Sequence, residues 1–373
     1  MNDSEFQRRF LYGLVRDCYE VQDNNIDFLA FSVPLAGRIK RRLEDKLLVL
    51  AKKAGFVRRH FLTEQSLRRL DYFLCKMDRL ERFYNLLEDD YSRQLLIYLL
   101  RFRVLGAEHV RLPTNNKFYW DKYISGHKKF LKEKHTIKTW KNWYLNRYEL
   151  QGVSGPIVLH THPLLILNSF LLQQYSYRKG PKIIGIQPGD TIIDCGSGWG
   201  DTALYFADRT GPHGKVLTFE FLPDNLKILQ RNISLNQHLV DRTEVVPNAL
   251  WDKSGETLTY QPNGPNTSLL DDKRQGTLQV STTTIDDSVR GKRIVKVDYI
   301  KMDIEGSELK ALYGAEQTIR TFRPTLAISL YHRDEDFVEI PDYLDRLGLG
   351  YEFFLDHFSI HQGETILFAQ SSR

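Results

Sequence analysis

Cysteine is scarce in this 373-residue chain. Cys18, Cys75 and Cys195 lie far apart, with no CxxC pair and no Cys/His array. That excludes a disulfide framework and a zinc cage, and predicts a reducing compartment, the cytoplasm. Long apolar runs are missing too. The most apolar short stretch, Leu95 to Leu100, is far below the ~20 residues that cross a bilayer, so no membrane span is expected. The opening MNDSEFQRRF is charged and has no apolar leader core, which predicts no secretory signal. No internal repeat, low-complexity tract or sustained heptad is present. The 42% apolar and 27% charged fractions fit an ordinary soluble protein. The length favours more than one folding unit, or a large α/β unit with an appendage.

Charge is unevenly spread. Residues 1–150 carry 30 Lys/Arg against 19 Asp/Glu, a net +11, whereas residues 151–373 carry 22 against 28, a net −6. A basic front half attracts nucleic acid, anionic lipid or a phosphorylated substrate, although solvated helical surface explains it equally simply. Beta-branched residues are sparse from Glu5 to Arg103, and the pattern is helical. Leu47, Leu48, Leu50 and Ala51 share one apolar-rich stretch; Leu67, Leu70, Phe73 and Leu74 recur at three- and four-residue steps. Arginine pairs (Arg41/Arg42, Arg58/Arg59, Arg68/Arg69) occupy the other faces. Ser66 and the Asp90–Ser92 segment are candidate helix starts. We read residues 1–111 as a helical N-terminal region.

Residues 112–182 form a connecting segment rich in aromatic and basic residues, a candidate cap over a cleft. Phe118, Tyr119, Trp120, Tyr123, Trp140, Trp143, Tyr144 and Tyr148 interleave with lysines. Such a pattern stacks bases or sugars, or packs aromatics between helices. His160 and His162 share one face if that segment is a strand, yet they are not taken as metal ligands. From Ile183 strand and helix alternate. Strands are expected at Thr191–Asp194, Val216–Phe219, Glu244–Val246, Tyr299–Met302, Thr325–Leu330, Phe353–Leu355 and Ile366–Phe368. Helices are expected at Asp201–Arg209, Asp224–Asn236 and Ser307–Phe322. This predicts a parallel sheet with helices on both faces, closed by an antiparallel hairpin, over residues 183–373.

The third glycine of a dinucleotide fingerprint is also missing. Asp194, Gly196, Gly198 and Gly200 read D-x-G-x-G-x-G, and the next fingerprint position is Asp201. Glycines there allow positive φ and close backbone approach, and a helix opening at Asp201 or Thr202 offers free N–H groups. Glu220 follows Asp194 by 26 residues and ends the next strand, where an acid accepts ribose hydroxyls. An acid before the turn welcomes an ammonium and repels a pyrophosphate. S-adenosylmethionine therefore suits this loop better than a nicotinamide cofactor.

A second group lies in VDYIKMDIEGSELKALYGAEQTIRTFRPTLAISLYH, from Val297 to His332. Its first strand should end beside the glycine loop, placing Asp303 and Glu305 in the cleft, with His332 ending the next strand at the same edge. Two carboxylates and a histidine suit removal of a proton from a hydroxyl. Acids capping a helix and a structural histidine are the plainer explanations. The same three residues also match a divalent cation, which we do not favour because no tight ligand spacing supports it.

The stretch from about Pro188 to Ala369 resembles the FkbM-type methyltransferases. The matching motifs are IIDCGSGWGDTALYFA, VLTFEFLPDNLKILQRNISLN, VPNALWDKSG, DYIKMDIEGSELKALYGAEQTI, RPTLAISLYHR and the tail YEFFLDHFS…ETILFA. The resemblance implies a Rossmann-like class I methyltransferase fold, seven mostly parallel strands with an antiparallel last one. It implies S-adenosylmethionine as donor and methyl transfer to oxygen, often on sugars or small natural products. Carried onto this chain, it makes Asp194, Gly196, Ser197, Gly198, Gly200, Asp201 and Thr202 the methionine-side loop and Glu220 the ribose acid. Asn248 and Ala249, with Trp251 nearby, become the adenine wall, and Asp303, Glu305 and His332 the catalytic candidates. No metal is assigned. The expected function is O-methylation of a sugar, glycan or small-molecule hydroxyl. Methylation of RNA or another phosphorylated polymer is the alternative enzyme, and a non-catalytic S-adenosylmethionine-binding scaffold the alternative of another class.

Overall fold

The computed structural model of the chain describes residues 4–20, 22, 63–139, 143–180, 182–264, 267–270 and 278–371. The apolar stretch at Leu47, Leu48, Leu50 and Ala51, the arginine pairs at 41/42 and 58/59, and Trp140 lie outside the described residues. The chain divides into two compact units, residues 1–120 with 355–365, and residues 121–354 with 366–373.

The first unit contains the helices Glu5–Tyr19, Glu64–Cys75, Met77–Leu86 and Asp90–Leu105. Three of them start on a side-chain cap. Ser4 accepts from Gln7 N, Thr63 from Ser66 N and Asp89 from Ser92 N, each satisfying an N–H that the helix itself leaves open. Phe6, Phe10, Phe73, Leu80, Phe83, Leu95 and Leu100 form the core. The periodic set expected at 67–74 buries Phe73 fully, but Leu67 and Leu74 stay exposed. The unit reaches beyond the expected limit at residue 111. It takes in residues 112–120 and 355–365, because contacts distant in sequence join them. Leu355 N donates to Ser92 Oγ (2.9 Å), Tyr91 to Asp356 (2.8 Å), and Thr114 to the His357 carbonyl (2.8 Å). No local pattern announces such pairings.

Among the described residues the strands are β1 (Leu131–Lys138), β2 (Tyr144–Gln151), β3 (Pro156–Thr161), β4 (Thr191–Cys195), β5 (Lys215–Phe219), β6 (Thr243–Val246), β7 (Ala249–Leu250), β8 (Thr257–Tyr260), β9 (Leu269–Leu270), β10 (Leu278–Thr283), β11 (Tyr299–Met302), β12 (Thr325–Ser329), β13 (Tyr351–His357) and β14 (Thr365–Ser371). Seven of them form one sheet in the order β13-β14-β12-β11-β4-β5-β6. The run β12-β11-β4-β5-β6 is parallel, and β14 is antiparallel to β12. The central strands are buried apolar runs, as a parallel sheet covered on both faces requires. The helix Asp201–Arg209 has the bounds expected from sequence. The helix expected over 307–322 is two, Glu308–Tyr313 and Glu316–Phe322. The break falls at Gly314, whose carbonyl accepts from Asp286 N (2.9 Å) instead of continuing a helix.

Two smaller sheets fall where the sequence reading placed a connector and a gap. β1-β2-β3 is antiparallel, and β7-β10-β8-β9 forms a four-stranded sheet. The free edge of β3 is closed by two asparagines four residues apart. Asn232 exchanges hydrogen bonds with His160 N and O (2.8 and 2.9 Å), and Asn236 with Val158 N and O (2.8 and 2.7 Å). They stand in for a neighbouring strand and remove an open edge. His160 lies in β3 and pairs with Thr136, while His162 lies beyond the strand and stacks on Trp143 with centroids 4.9 Å apart. The two rings therefore have separate partners. No helix among the described residues is long and apolar enough to cross a membrane.

Candidate functional site

β4 and β11 are neighbours in parallel register, Asp194 beside Lys301 and Cys195 beside Met302. Their carboxyl ends therefore release two chains side by side, which is where open parallel sheets form a ligand crevice. The first chain is the glycine turn. Gly196, Gly198 and Gly200 have φ of 83°, 52° and 92°, the left-handed region that glycine enters at little cost. A Cβ on Gly196 would overlap the Asp303 carbonyl oxygen, whereas one on Gly198 would meet open space. So Gly196 permits close contact with the second chain, and Gly198 leaves the turn uncovered. Ser197 is buried, and its Oγ has no hydrogen-bond partner.

Asp194 does not face a ligand. Its side chain is fully buried, 3.2 Å from Lys301 Nζ, and Oδ2 accepts from Thr202 (2.9 Å) and Thr218 (3.0 Å). Lys301 also donates to the carbonyls of Cys195 (3.0 Å) and Gly196 (2.5 Å). Burial opposes its charge, but Asp194 and Asp303 outweigh burial and its pKa is raised. This corrects the expectation that the Asp194 carboxylate meets an ammonium group. The acid neutralises a buried lysine that ties down the turn, because a buried charge must be paired. Thr202 is taken by Asp194, and Asp201 accepts from Ser169 (2.6 Å). Burial pushes Asp201 up to about 7, against the pull of that hydrogen bond.

Glu220 follows the end of β5 and is buried. Its Oε1 accepts from Phe221 N (2.7 Å) and Leu222 N (2.8 Å), and Oε2 from Asn225 (3.2 Å). Burial raises its pKa against these donors. A carboxylate has about four acceptor positions, so Oε2 keeps one. Phe221 and Leu222 pack on the cluster of Ala249, Trp251, Leu258, Tyr260 and Leu269. The turn after Glu220 and the expected adenine wall thus meet at Ala249. Asn248 donates to the Ser281 carbonyl at 3.3 Å.

The second chain carries Asp303, Glu305 and Glu308. Glu305 and Gly306 both have positive φ, 54° and 92°, and the non-glycine value marks a strained turn. Tyr331 donates to Asp303 Oδ1 (2.8 Å) and Tyr175 to Oδ2 (3.1 Å). Glu308 is fully buried, and its Oε1 accepts from Ile304 N (2.8 Å). His332, in the bend after β12, stands among all three carboxylates. Nε2 is 3.5 Å from Asp303 and 3.4 Å from Glu305, and Nδ1 is 2.9 Å from Glu308. These are ion-pair contacts out of line with the ring N–H directions, so neither nitrogen makes a hydrogen bond. Burial disfavours the charged ring, but Glu308, Glu305 and Asp303 prevail and carry its pKa up to about 10. Burial, reinforced by Asp303 and Glu308 and opposed by His332, pushes Glu305 up to about 8.

The structure therefore gathers Asp303, Glu305 and His332, and sets Gly196 against Asp303. Sequence reasoning missed Glu308, Lys301, Tyr175 and Tyr331. Lys301 had a signal, a charge inside a buried apolar strand. Tyr331 and Glu308 lay within the quoted motifs. Tyr175 had none, since only tertiary folding brings it to Asp303.

A mostly parallel sheet with a glycine turn, a strand-end acid and a carboxylate–histidine cluster at its strand ends defines an open α/β sheet protein, a class that binds ligands at that edge. Residues 185–353 match the model of the methyltransferase FkbM domain. Methyltransferase sdnD of Sordaria araneosa is 28% identical over 158 residues, 34% of this chain and 60% of that protein. The tRNA (adenine(57)-N(1)/adenine(58)-N(1))-methyltransferase TrmI of Methanocaldococcus jannaschii is 33% identical over 49 residues, 13% of this chain and 17% of that protein. The crystal structure of methyltransferase FkbM from Methylobacillus flagellatus KT is similar with a TM-score of 0.52 at 20% identity, covering 80% of this chain and 60% of that one. That likeness is one of fold. The chain spans 60% or less of the length of each of these relatives.

Proposed function

We propose that the chain is an S-adenosylmethionine-dependent O-methyltransferase of the class I, Rossmann-like type, acting on a hydroxyl of a sugar, glycan or small natural product. The observation that carries this reading is the contact of Gly196 with the Asp303 carbonyl, which sets the cofactor turn against the acidic turn. The residues fit a nucleoside without phosphates. The orphan Ser197 Oγ and the open Gly198 lie in the turn, Glu220 keeps an acceptor position, and Ala249 and Phe221 offer an apolar wall. The buried Lys301 ammonium is consumed by Asp194 and two carbonyls and is not available to a pyrophosphate.

In this reading residues 196–200 and Glu220 hold the cofactor, which supplies a methyl group on a positively charged sulfur. Asp194 and Thr202 brace the turn from beneath. Glu305 takes the proton from the acceptor hydroxyl. It is the acid of the cluster with the most exposed side chain, 29%, and His332 is its ion-pair contact. Asp303 is already bound by two tyrosines, and Glu308 is sealed. His332 keeps the carboxylates together and in place. Orientation contributes most of the acceleration, since holding reactants at near-attack distance is worth up to roughly 7–11 kcal/mol.

The test is titration of the full chain with S-adenosylhomocysteine, followed by transfer of an isotopically labelled methyl group to a panel of hydroxylated acceptors. Saturable one-to-one binding and label on oxygen are expected; no binding overturns the reading. The basic front half and the exposed Lys132 and Lys134 of β1 favour a second reading, methylation of RNA or another phosphorylated polymer. Acceptor binding that weakens steeply with salt would support it.

A further inference from the structure

We propose that Asp303, Glu308 and His332 form a binding site for one divalent cation of the manganese or magnesium class. Nothing in the family match assigns such a site.

Geometry comes first. One ligand atom from each residue lies within 4.8 Å of the others. An octahedral ion with ligands at about 2.1 Å sets adjacent ligands roughly 3 Å apart. The contact of His332 Nδ1 with Glu308 Oε1, 2.9 Å, is of that size. Two carboxylates and an imidazole are a donor set for a hard-to-borderline divalent ion.

Unmet valence is the second, independent observation. The His332 side chain is more than nine-tenths buried, and neither ring nitrogen has a hydrogen bond although three carboxylates surround it. Glu308 Oε2 is buried with no hydrogen-bond partner. Buried polar atoms are almost always satisfied, so an orphan carboxylate oxygen beside an imidazole without a hydrogen bond calls for a missing partner. A cation takes one ring nitrogen together with an oxygen of each of the two carboxylates.

Charge and support agree. Asp303, Glu305 and Glu308 crowd one imidazole, and Asp336 adds a fourth buried acid whose charge reaches the same ring. A divalent ion offsets this excess where a single ring proton does not. Ligating groups also need fixed orientation. Here Tyr175 and Tyr331 hold Asp303, and Ile304 N holds Glu308 Oε1. Glu305, the least buried of the three acids on this turn, remains beside the ion as the base. The ion's role rests on the methyltransferase reading: bound to the acceptor oxygen it would lower that hydroxyl's pKa. Its binding does not rest on that reading.

The experiment uses the full chain, stripped with a chelator and titrated with Mn2+ alone, without nucleoside or acceptor. Binding is followed by calorimetry and by the electron paramagnetic resonance of free Mn2+. One equivalent per chain is expected. His332→Gln and Glu308→Gln should each weaken it by about tenfold or more, while Asp224→Asn, at an exposed helix carboxylate, binds like the parent. Should a variant fail to fold by circular dichroism, the parent decides: its thermal midpoint should rise with Mn2+. No binding up to about 1 mM, the weak end for carboxylate sites, overturns the proposal, as does binding that His332→Gln leaves unchanged. S-adenosylhomocysteine is titrated separately. Mn2+ bound without it keeps the cation site and sinks the methyltransferase reading; the reverse result sinks the cation site alone.

Discussion

Asp194 and Asp303 stand at the ends of adjacent parallel strands, yet their surroundings are opposite. Asp194 is sealed, with one lysine and two threonine hydroxyls around a fully buried carboxylate. Asp303 keeps 18% of its side chain exposed and shares one histidine with two other acids. The floor balances one charge against one charge. The rim holds more negative charge than positive. Buried ions cost several kcal/mol unless paired, so the balanced floor is rigid scaffold and the unbalanced rim is where a ligand or a proton is accommodated.

That contrast can be broken by substitution. The largest effect is expected at the rim. Glu305→Gln should lower methyl transfer by about 10²- to 10⁴-fold, the range for loss of a general base, while S-adenosylhomocysteine affinity stays within a few fold. Undiminished turnover would remove Glu305 from the proton transfer. Next comes the floor. Lys301→Met leaves Asp194 buried and unpaired and should cost about 3–5 kcal/mol of stability, read from urea unfolding. A loss near zero would show that the pair is not what holds the turn. At Glu220 the expected effect is intermediate. Glu220→Ala should weaken S-adenosylhomocysteine binding by about 2 kcal/mol in a calorimetric titration, the scale of a hydrogen bond to a charged group. An unchanged affinity would move the ribose elsewhere.

A pH-dependent effect sharpens the contrast with a second buried histidine. Among the described residues no acid is hydrogen-bonded to the His357 ring. Its Nδ1 meets Thr365 Oγ1 at 2.8 Å and its Nε2 Ser359 Oγ at 3.4 Å. Burial, with the charges of His361 and Arg103, depresses its pKa to about 3 from 6.5. Between those values the unfolded chain binds the extra proton. Stability from this group is therefore complete above about pH 6.5 and is lost as pH falls toward 3, at up to about 1.4 kcal/mol per unit. His357→Gln should flatten that limb in unfolding midpoints measured from pH 7 to pH 4. An equally steep limb in the variant would assign the acid sensitivity to other groups.

Much of the sheet was legible. Buried parallel strands are continuous apolar runs, and β4, β5, β6, β11 and β12 were found within a residue of their bounds. The glycine turn was legible because positive φ leaves few residues to choose from. The smaller sheets were not. In β2, Leu145, Tyr148 and Leu150 are buried among partly covered polar residues, so no clean alternation shows. The edge of β3 is completed by Asn232 and Asn236, which no strand pattern contains. At the site, the acids and His332 were visible as residue types at strand ends. That Asp194 faces Lys301 was not, since both readings of that acid share one sequence.

Sequence alone determined where the chain turns: local sterics and the burial of apolar runs act within a few residues and leave their mark in order. Only tertiary folding decided which charges were matched. An ion's environment is set by groups brought from Tyr175, Lys301, Tyr331 and His332 to within a few ångströms, and electrostatic energy in a buried site depends on those distances rather than on separation along the chain.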